Sequence, residues 1–366
     1  MQIKCSLSEL LPAVQAVSGI ISRRAYRPIL SCLEIRANEE IEVRATDMEI
    51  SLEVAPEGLV LEKGAAVVPA KLLLNVLKTL PQGVVGLEAI DDITHLECQN
   101  IHFELNGFKS EDYPQATEFM SGTGLTLDSS MLKKHLPQVL RAISREENRP
   151  SLTGLLWQAR GNLLTLIGCD SYRLAVAKTP ISEETDMDLL IPGSACRLLA
   201  HLLGEDELIM MWNNHKVAFS FRDHNLEARL LAEKYPPWQP LIPADFMGKA
   251  ELNVKDLEQT LKRVSLLSPK GNQMVKFSFR PDRLALWTRS PDQGEAKEEL
   301  PICWSGECVD IGLNAGFVLD GLAGLSGEKV LLQIDEDRQK VLLGDPEDRS
   351  FACLVMVLRL PEGWQE

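Results

Sequence analysis

The sequence predicts an α+β fold made of three tandem, similar domains. Two observations carry that prediction, an internal repeat and a recurring order of strands and helices within each copy. Arg27-Pro28-Ile29-Leu30-Ser31-Cys32-Leu33 returns as Arg149-Pro150-Ser151-Leu152-Thr153-Gly154-Leu155. Thr46-Asp47 returns as Cys169-Asp170, Val68-Pro69 as Ile191-Pro192, and Glu111-Asp112-Tyr113-Pro114 as Glu233-Lys234-Tyr235-Pro236. The spacings are 122, 123, 123 and 122 residues, and the period divides the 366-residue chain into three. A third copy shows at the head of each unit. Cys5 to Ser18 aligns with Leu252 to Ser265, with Ser6 over Asn253, Glu9 over Asp256, and Leu10, Val14 and Val17 over Leu257, Leu261 and Val264. A solenoid repeat runs to about 20–50 residues, so this period is that of a whole domain. The expected domains are residues 1–121, 122–245 and 246–366, with boundaries at Ser121-Gly122-Thr123-Gly124 and in Pro243 to Gly248.

Each domain opens with a short strand and a helix. Ser6 followed by Glu9 makes a capping box, and Asp128 and Asn253 cap the corresponding helices. The middle copy, Leu127 to Ser144, is expected to carry about one extra helical turn. Period-two stretches follow, such as Leu33-Glu34-Ile35-Arg36-Ala37, Ile41-Glu42-Val43-Arg44-Ala45 and Ile50-Ser51-Leu52-Glu53-Val54, the mark of half-buried antiparallel strands. A second helix starts at Pro69 and runs to Lys78, because proline is preorganised for a first helical turn. Pro192 starts its counterpart, through Cys196, Leu199 and Leu203, and Asn314 to Leu322 forms the third. Two helices per domain then pack on one side of antiparallel sheets. Pro361 to Glu366 reads as a short loose tail.

Composition bounds the function. The chain is 45% hydrophobic without an apolar run long enough to span a bilayer, and Met1-Gln2-Ile3-Lys4-Cys5 lacks the apolar core of a signal peptide, so a cytosolic protein without a membrane partner is expected. The eight cysteines, at 5, 32, 98, 169, 196, 303, 308 and 353, read as reduced, packed thiols. Cys303 and Cys308 invite a zinc reading, but no second pair follows, and buried thiols are favoured. The net charge of −15 argues against nucleic acid only as a sum, since the local field depends on where the charges sit.

No P-loop, G-x-G-x-x-G, H-E-x-x-H or G-x-S-x-G is present, and no histidine sits at metal-ligand spacing from another, so neither cofactor nor metal is expected. His95 and His102 lie in strand-like sequence and read as surface or satisfied residues. Asp47 and Asp170 occupy equivalent positions, either as a catalytic carboxylate pair or as a duplicated turn or cap, and the latter fits better. The cations carry more information. Lys133, Lys134, Arg141 and Arg145 fall on one expected helix, the last three at i, i+7 and i+11. Lys71 and Lys78 share a second, Lys255, Lys262 and Arg263 a third, and Arg197 lies on a fourth; Arg23, Arg24 and Arg27 cluster in the loop after the first helix. These are either solvated faces or cations from all three domains aimed at a common object. With aromatics at 5%, that object is duplex phosphate backbone rather than stacked single-strand bases.

Several strings, in order and spacing, resemble one family. They are Arg27-Pro28-Ile29-Leu30, Ala45-Thr46-Asp47-Met48-Glu49-Ile50, Val68-Pro69-Ala70-Lys71, Asp112-Tyr113-Pro114, Asp170-Ser171-Tyr172-Arg173-Leu174-Ala175-Val176, Ile311-Gly312-Leu313-Asn314 with Val318-Leu319-Asp320, and Leu354-Val355-Met356-Val357-Leu358-Arg359-Leu360. Over essentially the whole chain they resemble the bacterial sliding clamp, the beta subunit of the DNA polymerase III holoenzyme. The resemblance implies a DNA clamp fold that dimerises head to tail into a six-domain ring. Helices would line the hole and meet the duplex weakly and without sequence preference. The DNA-facing set would be Arg23, Arg24, Lys71, Lys78, Lys133, Lys134, Arg141, Arg145, Arg149, Arg197, Lys255 and Lys262. It also implies no catalytic activity, a clamp loader that opens the ring with ATP, and polymerases and repair proteins that dock a glutamine-led peptide ending in bulky apolar residues.

The implied peptide pocket falls on Leu152, Cys169, Ser171, Tyr172, Arg173, Leu174, Pro236, Pro240, Leu241, Asn314, Phe317, Leu354, Met356, Val357, Leu358 and Arg359, with Arg173 and Asn314 as polar handles. The dimer seam falls on Leu105 against Leu266 and Leu267, with Asp292, Glu295 and Glu298 facing cations across it. The chain departs from the family pattern where Ser171-Tyr172 replaces Gly-His, Val357 a proline and Pro240 an arginine, and its tail is expected beside the pocket, partly covering it. Two alternatives stand beside a clamp: a clamp-like paralogue acting as a protein scaffold or drug-tolerant second clamp, and an enzyme built on Asp47 or Asp170.

Overall fold

The computed structural model describes residues 1–21, 27–115, 122–146, 148–268, 271 and 273–364. The first repeat holds β1 (Gln2–Ser6), α1 (Leu7–Ser18), β2 (Cys32–Ala37), β3 (Ile41–Thr46), β4 (Ile50–Val54), β5 (Gly58–Glu62), β6 (Gly64–Pro69), α2 (Ala70–Thr79), β7 (Val84–Ile90), β8 (Ile93–Cys98) and β9 (Ile101–Asn106). The second holds β10 (Thr123–Asp128), α3 (Ser129–Leu140), α4 (Pro150–Thr153), β11 (Gly154–Arg160), β12 (Leu163–Cys169), β13 (Arg173–Pro180), β14 (Met187–Pro192), α5 (Gly193–Leu202), β15 (Glu207–Trp212), β16 (Lys216–Phe221) and β17 (His224–Arg229). The third holds β18 (Phe246–Asn253), α6 (Val254–Ser265), β19 (Met274–Arg280), β20 (Arg283–Ser290), β21 (Gly294–Pro301), β22 (Val309–Asn314), α7 (Ala315–Leu322), β23 (Lys329–Asp335), β24 (Lys340–Gly344) and β25 (Phe351–Met356).

Two compact units result, residues 1–130 with 198–230, and residues 131–197 with 231–366. In the first, the sheets run β5-β1-β7-β8-β9 and β10-β15-β16-β17-β4-β3-β2-β6. In the second, they run β14-β11-β12-β13-β25-β24-β23-β18 and β21-β20-β19-β22. Each repeat therefore contributes two antiparallel sets of four strands in one order: β1-β7-β8-β9, β10-β15-β16-β17 and β18-β23-β24-β25, then β6-β2-β3-β4, β14-β11-β12-β13 and β22-β19-β20-β21. Neighbouring repeats fuse where the last strand of one repeat's first set pairs with the last strand of the second set of the repeat before, β17 on β4 and β25 on β13. Among the described residues, β9 pairs only with β8, and β21 only with β20.

The helices form where the caps predict them. Ser6 accepts the Glu9 N–H at 3.3 Å, Asp128 the Ser130 N–H at 2.8 Å, and Asn253 the N–H groups of Lys255 and Asp256. These bonds satisfy amides that have no partner inside the helix. In the first unit α1 lies against α2 and strands β2 to β4; in the second α6 lies against α7 and strands β19 to β21. The extra turn expected in the middle copy is absent. α3 ends at Leu140 and spans 12 residues, as α1 and α6 do. Beyond it Ala142, Ile143 and Ser144 turn inward, and the Ser144 N–H is taken by the Leu152 carbonyl. Gly168 makes room for this exit, since a Cβ there would stand 2.4 Å from the Val139 carbonyl oxygen.

Six cysteines are buried, and burial pushes the Cys196 and Cys353 thiols up to about 12. Cys303 and Cys308 are exposed instead, against the expectation of buried thiols, because they lie in the loop between β21 and β22 rather than in a strand. Among the described residues, no helix is long and apolar enough to cross a membrane.

Candidate functional site

Strand register in the second unit builds one apolar floor. Antiparallel pairing sets Cys169 beside Leu174, Leu174 beside Leu354 and Leu354 beside Leu342, a row across β12, β13, β25 and β24. A second row on the same face runs Leu190, Leu156, Ile167, Val176 across β14, β11, β12 and β13. Side chains two apart share a face, so the rows merge. Leu152 joins from α4, and Tyr235 and Trp238 come from the segment after β17. Leu231, Ile242 and Met356 pack against this cluster half-buried. Burial pushes the Cys169 thiol up and the Tyr235 phenol well above its ordinary value, and the phenol donates to the Ile167 carbonyl at 3.5 Å. The floor is apolar, and only an apolar group gains by leaving water over it.

A polar rim stands at the turn between β12 and β13. Asp170 accepts the N–H groups of Tyr172 and Arg173, both at 3.0 Å, while Ser171 sits at φ 78°. Asp47 makes the same turn in the first unit, accepting from Glu49 at 3.0 Å and Ile50 at 2.7 Å with Met48 at φ 79°. The turn reading of this pair is therefore the one the structure supports. Arg173 donates to Asp170 at 2.9 Å and to Asp320 at 2.5 Å, and its guanidinium lies 4.4 Å from the Phe317 ring centroid. Tyr172, 57% exposed, stacks on Phe317 at 6.4 Å. Asn314 accepts the Phe317 N–H as the N-cap of α7. Both expected polar handles thus have partners within the chain.

Of the residues singled out in the sequence, Leu152, Cys169, Leu174, Leu354 and Met356 meet in the cluster. Ser171, Tyr172, Arg173, Asn314 and Phe317 form the rim. Pro236, Pro240 and Leu241 are exposed on the segment that carries Tyr235 and Trp238. Val357 and Leu358 donate their N–H groups to Gln339 and Gly312, each at 2.8 Å, and Arg359 is exposed. Sequence reading missed Leu156, Ile167, Val176, Leu190, Tyr235, Trp238 and Leu342 as a group. Tyr235 carried a signal through the duplicated Tyr-Pro, and Val176 through the string that begins at Asp170.

The tail is neither loose as far as Trp364 nor laid over the cluster. Gly312, Lys276 and Trp287 form a cross-strand row on β22, β19 and β20. The chain follows that row. Leu358 bridges Gly312, where a Cβ would meet the Leu358 carbonyl oxygen at 2.8 Å, and Lys276 donates to the Trp364 carbonyl at 2.6 Å. The Trp364 ring meets Trp287 edge-on at 4.6 Å.

Three sequence models of the DNA polymerase III beta subunit match end to end: the N-terminal domain over residues 1–117, the central domain over 126–237 and the C-terminal domain over 239–359. The chain belongs to the DNA polymerase III beta subunit family. Its fold is three tandem clamp domains, and its function is that of a DNA sliding clamp. The beta sliding clamps of Bacillus subtilis and Synechococcus elongatus are each 27% identical, across 98% of this chain and 100% of theirs. The crystal structure of the Bacillus subtilis sliding clamp superposes with a TM-score of 0.94 at 25% identity, covering 99% of this chain and 100% of that one. The Pseudomonas aeruginosa clamp bound to griselimycin superposes at 0.93 with 22% identity, covering 98% and 100%.

In this beta subunit the expected DNA-facing cations differ in freedom. Lys71, Lys78, Lys133, Arg145, Arg197 and Lys255 are exposed. Lys134 is half-buried and pairs with Asp348 at 3.1 Å, Arg141 donates to the Ala323 carbonyl at 3.3 Å, Arg149 to Ser171, and Lys262 to Glu258. Arg141 and Arg145 lie past the end of α3, so the single helical face drawn through them and Lys134 does not exist. Arg23 and Arg24 lie outside the described residues. At the expected seam Leu266 is 77% exposed and Leu267 half-buried, whereas Leu105 is buried in its own unit and Phe103, on the same face of β9, is exposed. Asp292 and Glu295 are exposed, while Glu298 is engaged by Thr260 and Arg263 within the chain.

Proposed function

We propose that two copies of this chain join head to tail through β9 and β21, closing a ring on duplex DNA, and that the apolar cluster under Leu174 and Leu354 takes the peptides of its partners. The observation that carries the ring is the unfilled sheet junction. Two junctions of one plan lie within the chain, and the third pair of equivalent strands, β9 and β21, is left without each other. An unpaired strand edge is a template for another strand. A second copy related by a twofold axis supplies β21 to β9 and β9 to β21 and leaves neither of these two strands over, so the assembly stops at two. Leu266, Phe103 and the half-buried Leu267 lose water there.

Inside such a ring the exposed cations meet phosphates without reading bases, and binding falls with salt. The chain performs no catalysis. It works in the cytoplasm on the nucleoid, is opened by a clamp loader, and holds polymerases and repair proteins by glutamine-led peptides whose apolar ends fill the cluster. The domains that do this are residues 1–121, 122–245 and 246–366. Replacing Leu266 and Leu267 by aspartate is expected to turn a two-chain particle into monomers in light scattering. A two-chain mass that persists places the seam elsewhere. Support of processive synthesis with the cognate loader and polymerase separates a clamp from a scaffold of the same fold.

A further inference from the structure

The first unit contains the backbone plan of the peptide site with a different lining. Register makes the correspondence residue by residue. The row Leu190, Leu156, Ile167, Val176 of the second repeat becomes Val67, Glu34, Arg44, Glu53 across β6, β2, β3 and β4. The row Cys169, Leu174, Leu354, Leu342 becomes Thr46, Ser51, Glu227, Ala218 across β3, β4, β17 and β16. Met356, opposite Lys340, becomes Arg229, opposite Lys216. Tyr235-Pro236 corresponds to Tyr113-Pro114, and the Asp170 turn to the Asp47 turn.

The scaffold is shared and the chemistry is inverted. Glu34 and Arg44, each 2% exposed, pair at 2.9 Å, and Arg36 reaches the same Glu34 oxygen at 2.9 Å. Arg44 also donates to the Pro114 carbonyl and lies 5.4 Å from the Tyr113 ring centroid. Lys216 and Glu227 pair at 3.5 Å, as do Arg229 and Glu49. A cavity of about 220 Å³ opens at this junction, lined by Met48, Ser51, Pro114, Lys216, Glu227 and Arg229 among others. An apolar peptide side chain gains by leaving water only over an apolar floor. Seated here it would strip water from Glu227 and Lys216 and return no hydrogen bonds.

We infer that the charged lining built on Glu34, Arg44, Glu53 and Glu227 confines apolar-anchored partner peptides to one site per chain. The inference rests on the peptide-site reading above. It makes these four residues determinants of stoichiometry: three like domains make two like junctions within one chain, and one of these two is closed to the ligand by charge.

The test transplants the lining. The variant Glu34→Leu, Arg44→Ile, Ser51→Leu, Glu53→Val, Glu227→Leu writes the second-repeat rows into the first. Exchanging a buried ion pair for apolar residues of similar volume is often neutral to folding. The rim variant Ser51→Leu, Glu227→Leu, which keeps Glu34 and Arg44, is the second arm. Calorimetric titration with a glutamine-led peptide ending in bulky apolar residues is expected to give one site per full-length wild-type chain and two for the transplanted chain, the second weaker in the rim variant. Adding Leu174→Asp is expected to abolish binding in the wild type and leave one site in the transplant. Folded variants that still take a single peptide overturn the inference, as does a wild type that takes two. A wild type that takes none overturns the peptide-site reading instead.

Discussion

At the scale of single residues, Asp47 and Asp170 show why a duplicated side chain need not be catalytic. Each closes a turn by accepting two backbone N–H groups, and each turn holds its next residue at positive φ. A short carboxylate does this without help from the rest of the fold, so the role was legible from the repeat alone. His135 shows the opposite. It is fully buried on α3, with Nδ1 2.7 Å from Gln138, whose amide donates to the Gly324 carbonyl. Burial holds its pKa below 6.5, with Lys134 adding to the fall and Gln138 and Asp348 opposing it. The unfolded chain therefore takes the proton first. Stability is fully present above about pH 6.5 and is lost as pH drops toward the depressed folded value. Melting temperature is expected to fall between pH 7 and pH 5.5 in scanning calorimetry, and His135→Gln to flatten that fall.

At the scale of elements, the site and the tail are products of register. Leu152, Cys169, Leu174, Leu354 and Met356 were named in the sequence, but Ile167, Val176 and Leu190 look like any buried strand residue until pairing sets them in rows. Arg141 and Arg145 were read as helical because their spacing continues the period of α3. The chain instead leaves the helix at Leu140, where Ile143 and Ser144 turn inward. The tail follows Gly312, Lys276 and Trp287 because one of them lacks a side chain, one has an ammonium beside Asp310 at 3.1 Å, and one is a flat ring. Removing residues 361–366 is expected to leave peptide affinity within about twofold, since the chain as far as Trp364 lies away from the cluster, and to lower the melting temperature by about 2–4 °C per kcal/mol of packing lost. A large gain in peptide affinity on truncation would mean that the tail covers the site.

At the scale of the whole molecule, the repeat has one more consequence. Two of three equivalent strand junctions are satisfied inside the chain, and the strands of the third remain with one neighbour each among the described residues. Phe103, exposed on β9 between the half-buried Ile101 and the buried Leu105, presents an apolar side chain at that edge. Phe103→Asp is expected to shift the chain toward monomer in sedimentation and to weaken retention on circular DNA in parallel. Loss of retention without loss of the dimer would separate the seam from the contact with DNA. The net charge of −15 is a sum, and in the proposed ring the exposed lysines and arginines of the helices would set the field that a phosphate meets.

By itself the sequence determined the tripling, the helix starts and the strand alternation, and it favoured the two aspartate turns. Each of these is a local or periodic property, written within a few residues or copied at a constant spacing. Tertiary structure alone decided which buried residues share one floor, that Arg173 and Asn314 are already engaged, that Leu105 is buried while Phe103 is not, and that one junction is apolar and its twin charged. Those outcomes depend on pairings between strands far apart in the chain. A shift of one residue in register would turn every side chain of a strand to the other face.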